Sequence, residues 1–126
     1  MTRPTNQPME GLIVPATCGF GGRIWLVSRI WELSKELPVQ ELPVAPLVEQ
    51  YWDRNIWFSR GSALTWGNVV DHCGGIMRAD LSYPIVLRSD GFLFDGAHRL
   101  AKAYLTNQPT IKAVQFEVDP DPDWTD

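Results

Sequence analysis

Apolar residues recur at helical spacing over residues 24–37, where Ile24, Val27, Ile30, Trp31 and Leu33 repeat about one turn apart. Pro38 ends that helix, because proline has no amide hydrogen and its ring collides with the preceding turn. Residues 39–44 alternate as a short strand, and Pro38 and Pro43 put it at a sheet edge, where a missing donor costs least. Pro46 marks the first turn of a short helix over 46–52. Thr65 is placed to cap a helix running to about Ala79, which Gly74 and Gly75 weaken. Tyr83-Pro84 forces extended backbone into the apolar strand Ile85-Val86-Leu87. Ser89-Asp90-Gly91 is a hairpin turn, and Phe92-Leu93-Phe94 is the returning strand. A helix over 96–106 buries the stripe Ala97, Leu100, Ala101, Tyr104 and Leu105, which leaves His98, Arg99 and Lys102 on the other side. Residues 110–118 form a last strand.

This order of elements predicts one α+β domain over residues 24–118, a small mixed sheet with helices packed on it. Residues 1–23 read as a flexible lead-in. Their Gly19-Phe20-Gly21-Gly22-Arg23 run lacks the Gly-x-x-x-x-Gly-Lys-Ser/Thr spacing of a phosphate loop. Residues 119–126 read as an acidic Asp/Pro tail.

Composition supports a single packed domain: 126 residues, 44% of them hydrophobic, with 6 Trp, 5 Phe and 3 Tyr. The net charge of −4 comes from 15 acids against 11 bases, and four of the acids (Asp119, Asp121, Asp123, Asp126) lie in the tail. The rest of the chain is balanced, 11 against 11. No basic cluster remains to track a phosphate backbone, so direct nucleic-acid binding is not expected. The same balance supplies no polybasic membrane patch, and no apolar run nears the ~20 residues of a membrane span. No secretory-type apolar segment opens the chain. The spacing of Cys18 and Cys73 requires no disulfide, and a reduced cytoplasmic protein is the expectation. Two Cys and two His (His72, His98) show none of the clustered spacings of a zinc site, so no metal site built from a protein cluster is predicted.

Two stretches carry candidate chemistry. Residues 52–66 hold four aromatics around Arg54, Asn55, Arg60 and Gly61. Such a loop serves either as a stacking surface or, the preferred reading, as a loop pinned to the core by its tryptophans. The second stretch is Phe92-Leu93-Phe94-Asp95-Gly96-Ala97-His98-Arg99-Leu100, a strand running through Asp-Gly straight into a helix. Unpaired amides at a helix start attract anions, and Gly96 lets a ligand approach the backbone. Arg99 offers a planar fork for phosphate oxygens and His98 a second donor. Both residues also have structural uses: Gly96 can simply turn the chain, and Arg99 can pair with Asp95 or Asp80. Upstream, Thr65, Asn68 and His72 share one helix face. His72 suits either a ligand contact or a partly buried side chain satisfied by Asp71 or a carbonyl.

The run of strand, Ser-Asp-Gly turn, strand, Asp95-Gly96-Ala97-His98-Arg99, helix and strand over residues 85–116 resembles the core of the ParB/sulfiredoxin superfamily. Gly96-Ala97-His98-Arg99 is similar to the Gly-Cys-His-Arg element of sulfiredoxins, and the likeness extends over roughly residues 38–118. It implies a ParB/sulfiredoxin-like fold that holds a nucleotide, ATP or CTP with Mg²⁺, through Gly96, Ala97, His98 and Arg99. Lys102 lies nearby, Thr65, Asn68 and His72 contact the ligand from the preceding helix, and Asp95 and Asp80 support the site or the metal. Ala97 stands where sulfiredoxins carry their catalytic cysteine, so sulfinic acid reduction has no nucleophile here. Cys73, one helix away, is expected to be a buried thiol. Only one arginine stands in this motif, whereas partition ParB proteins have several. Without their helix-turn-helix and dimerisation segments, DNA clamping by this chain is not expected.

Free serine kinases of this fold use an acid near the first strand as general base. Glu49 is the positional candidate, with Asp53 next and His98 a second catalytic candidate. The resemblance thus implies an NTP hydrolase or small-molecule phosphotransferase. The alternative is a non-catalytic nucleotide-gated adaptor of a partition-like system, engaging a protein partner through the 52–66 loop or the tail. Nuclease activity is a distant third. The oligomeric state stays open, a homodimer included.

Overall fold

In the computed structural model, residues 17–58 and 63–125 are described. In chain order these form β1 (Thr17–Phe20), β2 (Arg23–Leu26), α1 (Val27–Ser34), β3 (Gln40–Pro43), α2 (Val44–Tyr51) and α3 (Trp66–Arg78). There follow β4 (Ile85–Leu87), β5 (Leu93–Asp95), α4 (Ala97–Leu105), β6 (Thr110–Gln115) and β7 (Trp124–Thr125). Among the described residues the architecture is α+β, with four helices and two small sheets.

The larger sheet has the order β3-β6-β4-β5. β4 and β6 pair in parallel at its centre, and antiparallel β3 and β5 flank them. Side chains alternate across a sheet, so each central strand feeds two cores. Val86, Val114, Phe94 and Phe116 face Trp25, Ile30 and Trp31. Ile85, Leu87, Ile111 and Ala113 face Val44, Leu47, Leu100 and Ala103. The layers are therefore α1 with the β1–β2 hairpin, then the sheet, then α2 and α4. α3 packs on α4.

Several local expectations hold. The strand around residues 40–43 is an edge, and Pro46 lies in the first turn of α2. Thr65 Oγ1 caps α3 by accepting from Asn68 N at 3.1 Å. The Ser-Asp-Gly turn closes with Arg88 N donating to Phe92 O at 2.7 Å and Gly91 at φ +89°.

Three expectations do not hold. Residues 24–26 are strand rather than the start of a helix, and residues 17–23, read as part of a flexible lead-in, belong to a hairpin. Gly21 and Gly22, at φ +59° and +77°, supply the paired left-handed conformations that a two-residue hairpin turn requires. The acidic tail docks on the same hairpin. β7 pairs with β2, Asp123 N donates to Ile24 O, Trp25 Nε1 donates to Pro120 O, and the Asp123 carboxylate accepts from Leu26 N. Backbone pairing on both sides of β2 is what overrides the helical spacing of Ile24 and Val27. The third correction concerns α4, where Tyr104 and Leu105 are exposed and Arg99 and Ala103 are buried. Among the described residues no helix is long and apolar enough to cross a membrane.

Candidate functional site

The N-terminus of α4 opens onto a cavity of about 580 Å³, walled by Gly96, Ala97 and His98 on one side and by β1 and residues 54–57 on the other. Gly96 makes the turn into the helix at φ +119°, packed so closely on β4 that a methyl group there would lie 2.5 Å from Ile85 Cγ2. The first helical bond runs from Leu100 N to Gly96 O at 2.9 Å. The amides of Ala97, His98 and Arg99 therefore precede the hydrogen-bonded ladder, and the N-cap Gly96 has no side chain to cap them. Partial positive charge gathers at this end.

Arg99 sits behind this turn, not in front of it. Its side chain is 1% exposed, with Nη1 donating to Pro84 O at 2.9 Å and Nη2 to Asp95 Oδ2 at 2.8 Å. Asp95 Oδ2 also accepts from Trp31 Nε1 at 2.8 Å. Of the two uses the motif left open for Arg99, pairing with Asp95 is the one the fold employs. α4 is covered by the sheet as well as by α2 and α3, so a one-sided stripe misplaces its charged residues.

The cations that do line the cavity are Arg54 and Arg88. Arg88 is buried with its guanidinium 3.3 Å from the Phe20 ring centre and 5.2 Å from that of Phe92. It forms a two-point pair with Asp90 at 3.0 and 2.6 Å. Burial pushes the Asp90 carboxyl up, but Arg88 and the Phe92 amide outweigh that and hold it below the ordinary carboxylate range. Arg54 also stands beside Phe92, 4.9 Å from its ring centre. Arg54 belongs to the basic, aromatic loop read from the sequence. Arg88 was missed, although Arg88-Ser89-Asp90 brackets the hairpin turn with opposite charges two residues apart.

His98 and His72 meet. Their facing nitrogens, His98 Nε2 and His72 Nδ1, are 2.8 Å apart, one donating to the other. Trp57 stacks on both rings at 4.7 and 5.0 Å, and Phe58 meets His72 edge-on. The other face of His98 rests on Gly75, where a methyl group would come within 3.1 Å of the imidazole. Gly75 therefore makes room for this ring and does more than weaken the helix. Burial pulls the affinity of both imidazoles for protons down, and His72 lowers His98 further, so the pair is neutral at pH 7. Of the loop tryptophans, Trp57 stacks on the imidazoles and Trp52 meets the Tyr104 ring edge-on, but Trp52 and Trp66 are exposed, against the expectation of a core-pinned loop. Arg60 and Gly61 lie outside the described residues.

The remaining candidates are elsewhere. Lys102 Nζ donates to Met77 O and Ala79 O, closing the C-terminal end of α3. Thr65 and Asn68 are engaged at the start of α3, where Asn68 Nδ2 donates to Ala63 O. Asp80 accepts from Ser82 N and Oγ in the turn after α3. Glu49 is exposed on α2 and lines no part of the cavity, because Val44, Leu47 and Val48 take the inward face of that short helix. Cys73 is exposed, not buried. Cys18, at the cavity wall, has its thiol pushed up to about 12 by burial and by Asp95, and is no nucleophile at neutral pH.

No family model, curated protein or solved structure matches the chain.

Proposed function

We propose that this chain is a ParB/sulfiredoxin-like protein that binds the phosphate groups of a nucleotide, ATP or CTP with Mg²⁺, at the start of α4. The reading rests on one observation. The helix-start residues Gly96, Ala97 and His98, ahead of the hydrogen-bonded ladder of α4, line a single cavity together with Arg54 and Arg88. Amides and guanidiniums are complementary to phosphate oxygens, and a site of about 580 Å³ suits a small ligand. Asp95 is the one carboxylate among the described cavity residues, so Mg²⁺ would be held mainly by phosphates and water.

Binding without turnover is favoured over phosphoryl transfer. Glu49 is away from the cavity, and the Nε2 of His98 is engaged by His72. A general base must lie within hydrogen-bond reach of the proton it takes. Thermal unfolding with ATP, GTP, CTP and UTP, with and without Mg²⁺, tests the reading. At 100 times Kd a bound nucleotide stabilises by about 2.7 kcal/mol. Arg54→Ala weakens that stabilisation while leaving the apo protein folded. Absence of any shift with all four nucleotides and with inorganic phosphate rejects the reading. Steady phosphate release with purified protein rejects the non-catalytic form of it.

A further inference from the structure

A second cavity, of about 340 Å³, lies between α2, α4 and residues 54–58 and shares Tyr51, residues 54–57, Leu93 and Ala97 with the first. Its walls are almost wholly hydrocarbon and ring faces: Val48, Trp52, Ile76, Leu100, Ala101 and Leu105 line it. Trp52 and Leu105 remain about two-thirds exposed, at 65% and 64%. Clustered apolar surface of this kind marks a binding site more often than a free face.

The polar groups beside it are in part engaged by the chain. Tyr51 Oη accepts from Leu93 N at 2.9 Å. Asn55 Oδ1 accepts from Phe58 N at 2.9 Å, and Asn55 Nδ2 donates to Phe58 O at 3.1 Å. Arg54 Nε donates to Gln50 O at 3.2 Å. A ligand group with hydrogen-bonding edges would find few partners here in exchange for its water, whereas an apolar group has none to give up. The size is that of a small-molecule pocket.

We propose that this cleft holds the aryl or alkyl group of a small ligand, whose polar end passes Ala97 to the start of α4. The second half of that statement rests on the phosphate reading above; the first does not. Ala97 lies in the wall the two cavities share and contributes only a single methyl to it. A nucleobase entering this cleft is held by stacking alone and is not told apart from another base.

The test is a calorimetric titration with inorganic, methyl, butyl and octyl phosphate and with octanol. The wild type is compared with Ala101→Phe, which fills the cleft away from the α4 start. Leu105→Asp, at an exposed position, serves as the second variant should Ala101→Phe fail to fold. Octyl phosphate is expected to bind at least tenfold tighter than methyl phosphate, and either variant should erase that difference while leaving inorganic phosphate binding intact. Phosphate esters that bind without chain-length dependence overturn the inference and leave the phosphate reading standing. Octanol binding as tightly as octyl phosphate overturns the polar-end half, and absence of binding by either overturns the cleft itself. A dimer in sedimentation that Leu105→Asp dissociates gives the cleft to a second copy and likewise overturns it.

Discussion

The two walls of the phosphate-facing cavity are held by different physics. One wall is contiguous in sequence, from β5 through Gly96 into α4. It is backed by the buried Arg99–Asp95 pair and packed on Ile85. The other is assembled from the β1–β2 hairpin, with its backbone ladder, and from residues 51–58, which hold by ring contacts and a few exposed hydrogen bonds. Buried, fully partnered groups open only with the whole domain, while exposed turns open locally at far smaller cost. The fixed wall presents backbone donors in a set geometry. The looser one carries Arg54 and the aromatic rings, and can adjust to what those donors hold.

Substitutions that attack each wall in turn can break this contrast. Arg99→Leu has the largest expected effect, a loss of about 3–5 kcal/mol in chemical denaturation, because it leaves Asp95 and the Pro84 carbonyl without their buried donor. A loss under about 1 kcal/mol would show that the first wall does not depend on the ion pair. Gly96→Ala comes next, at about 3 kcal/mol, from a left-handed backbone joined to a clash with Ile85.

The imidazole pair joins the two walls, and pH addresses it. Both histidines titrate below the ordinary 6.5 in the folded state, so the unfolded chain takes up protons first on acidification. Their contribution is fully present above pH 6.5 and is lost as pH falls from there towards the lowered folded values. Thermal melts from pH 7.5 down to 5 should show the decline, and His98→Gln should flatten it. A melting temperature that is level across this range in the wild type would remove the pair from the account of how the walls are joined. The smallest effect belongs to Asn55→Ala. It should cost about 1 kcal/mol or less overall while hydrogen exchange at the Phe58 amide speeds up markedly. Equal protection of the Phe58 and Leu100 amides in the wild type would erase the distinction between the walls.

Much of the frame is legible residue by residue. Thr65 caps α3, Tyr83-Pro84 leads into a strand, and Ser89-Asp90-Gly91 turns the hairpin, since each rests on bonds to neighbours a few positions away. The α+β class follows from the same local signals. Less of the site is legible. Arg99 looked like a surface fork because a helix was assumed to have one buried side, and α4 has more than one. Lys102 looked like a phosphate ligand and instead closes α3. Gly21-Gly22 looked like slack chain until β2 was seen paired on both sides, to β1 and to β7.

What the sequence determined by itself, then, is where the backbone turns and the elements begin from α3 to β6, and that Gly96 leads the chain into a helix. Only the tertiary structure decided which charges face the cavity. Arg54 and Arg88 stand in front of it, Arg99 behind it, Glu49 outside it, and His72 against His98. Local turns and caps arise from contacts over a few residues. The orientation of a charge is set by which faces of its helix or strand are covered, and those covers come from chain segments tens of residues away.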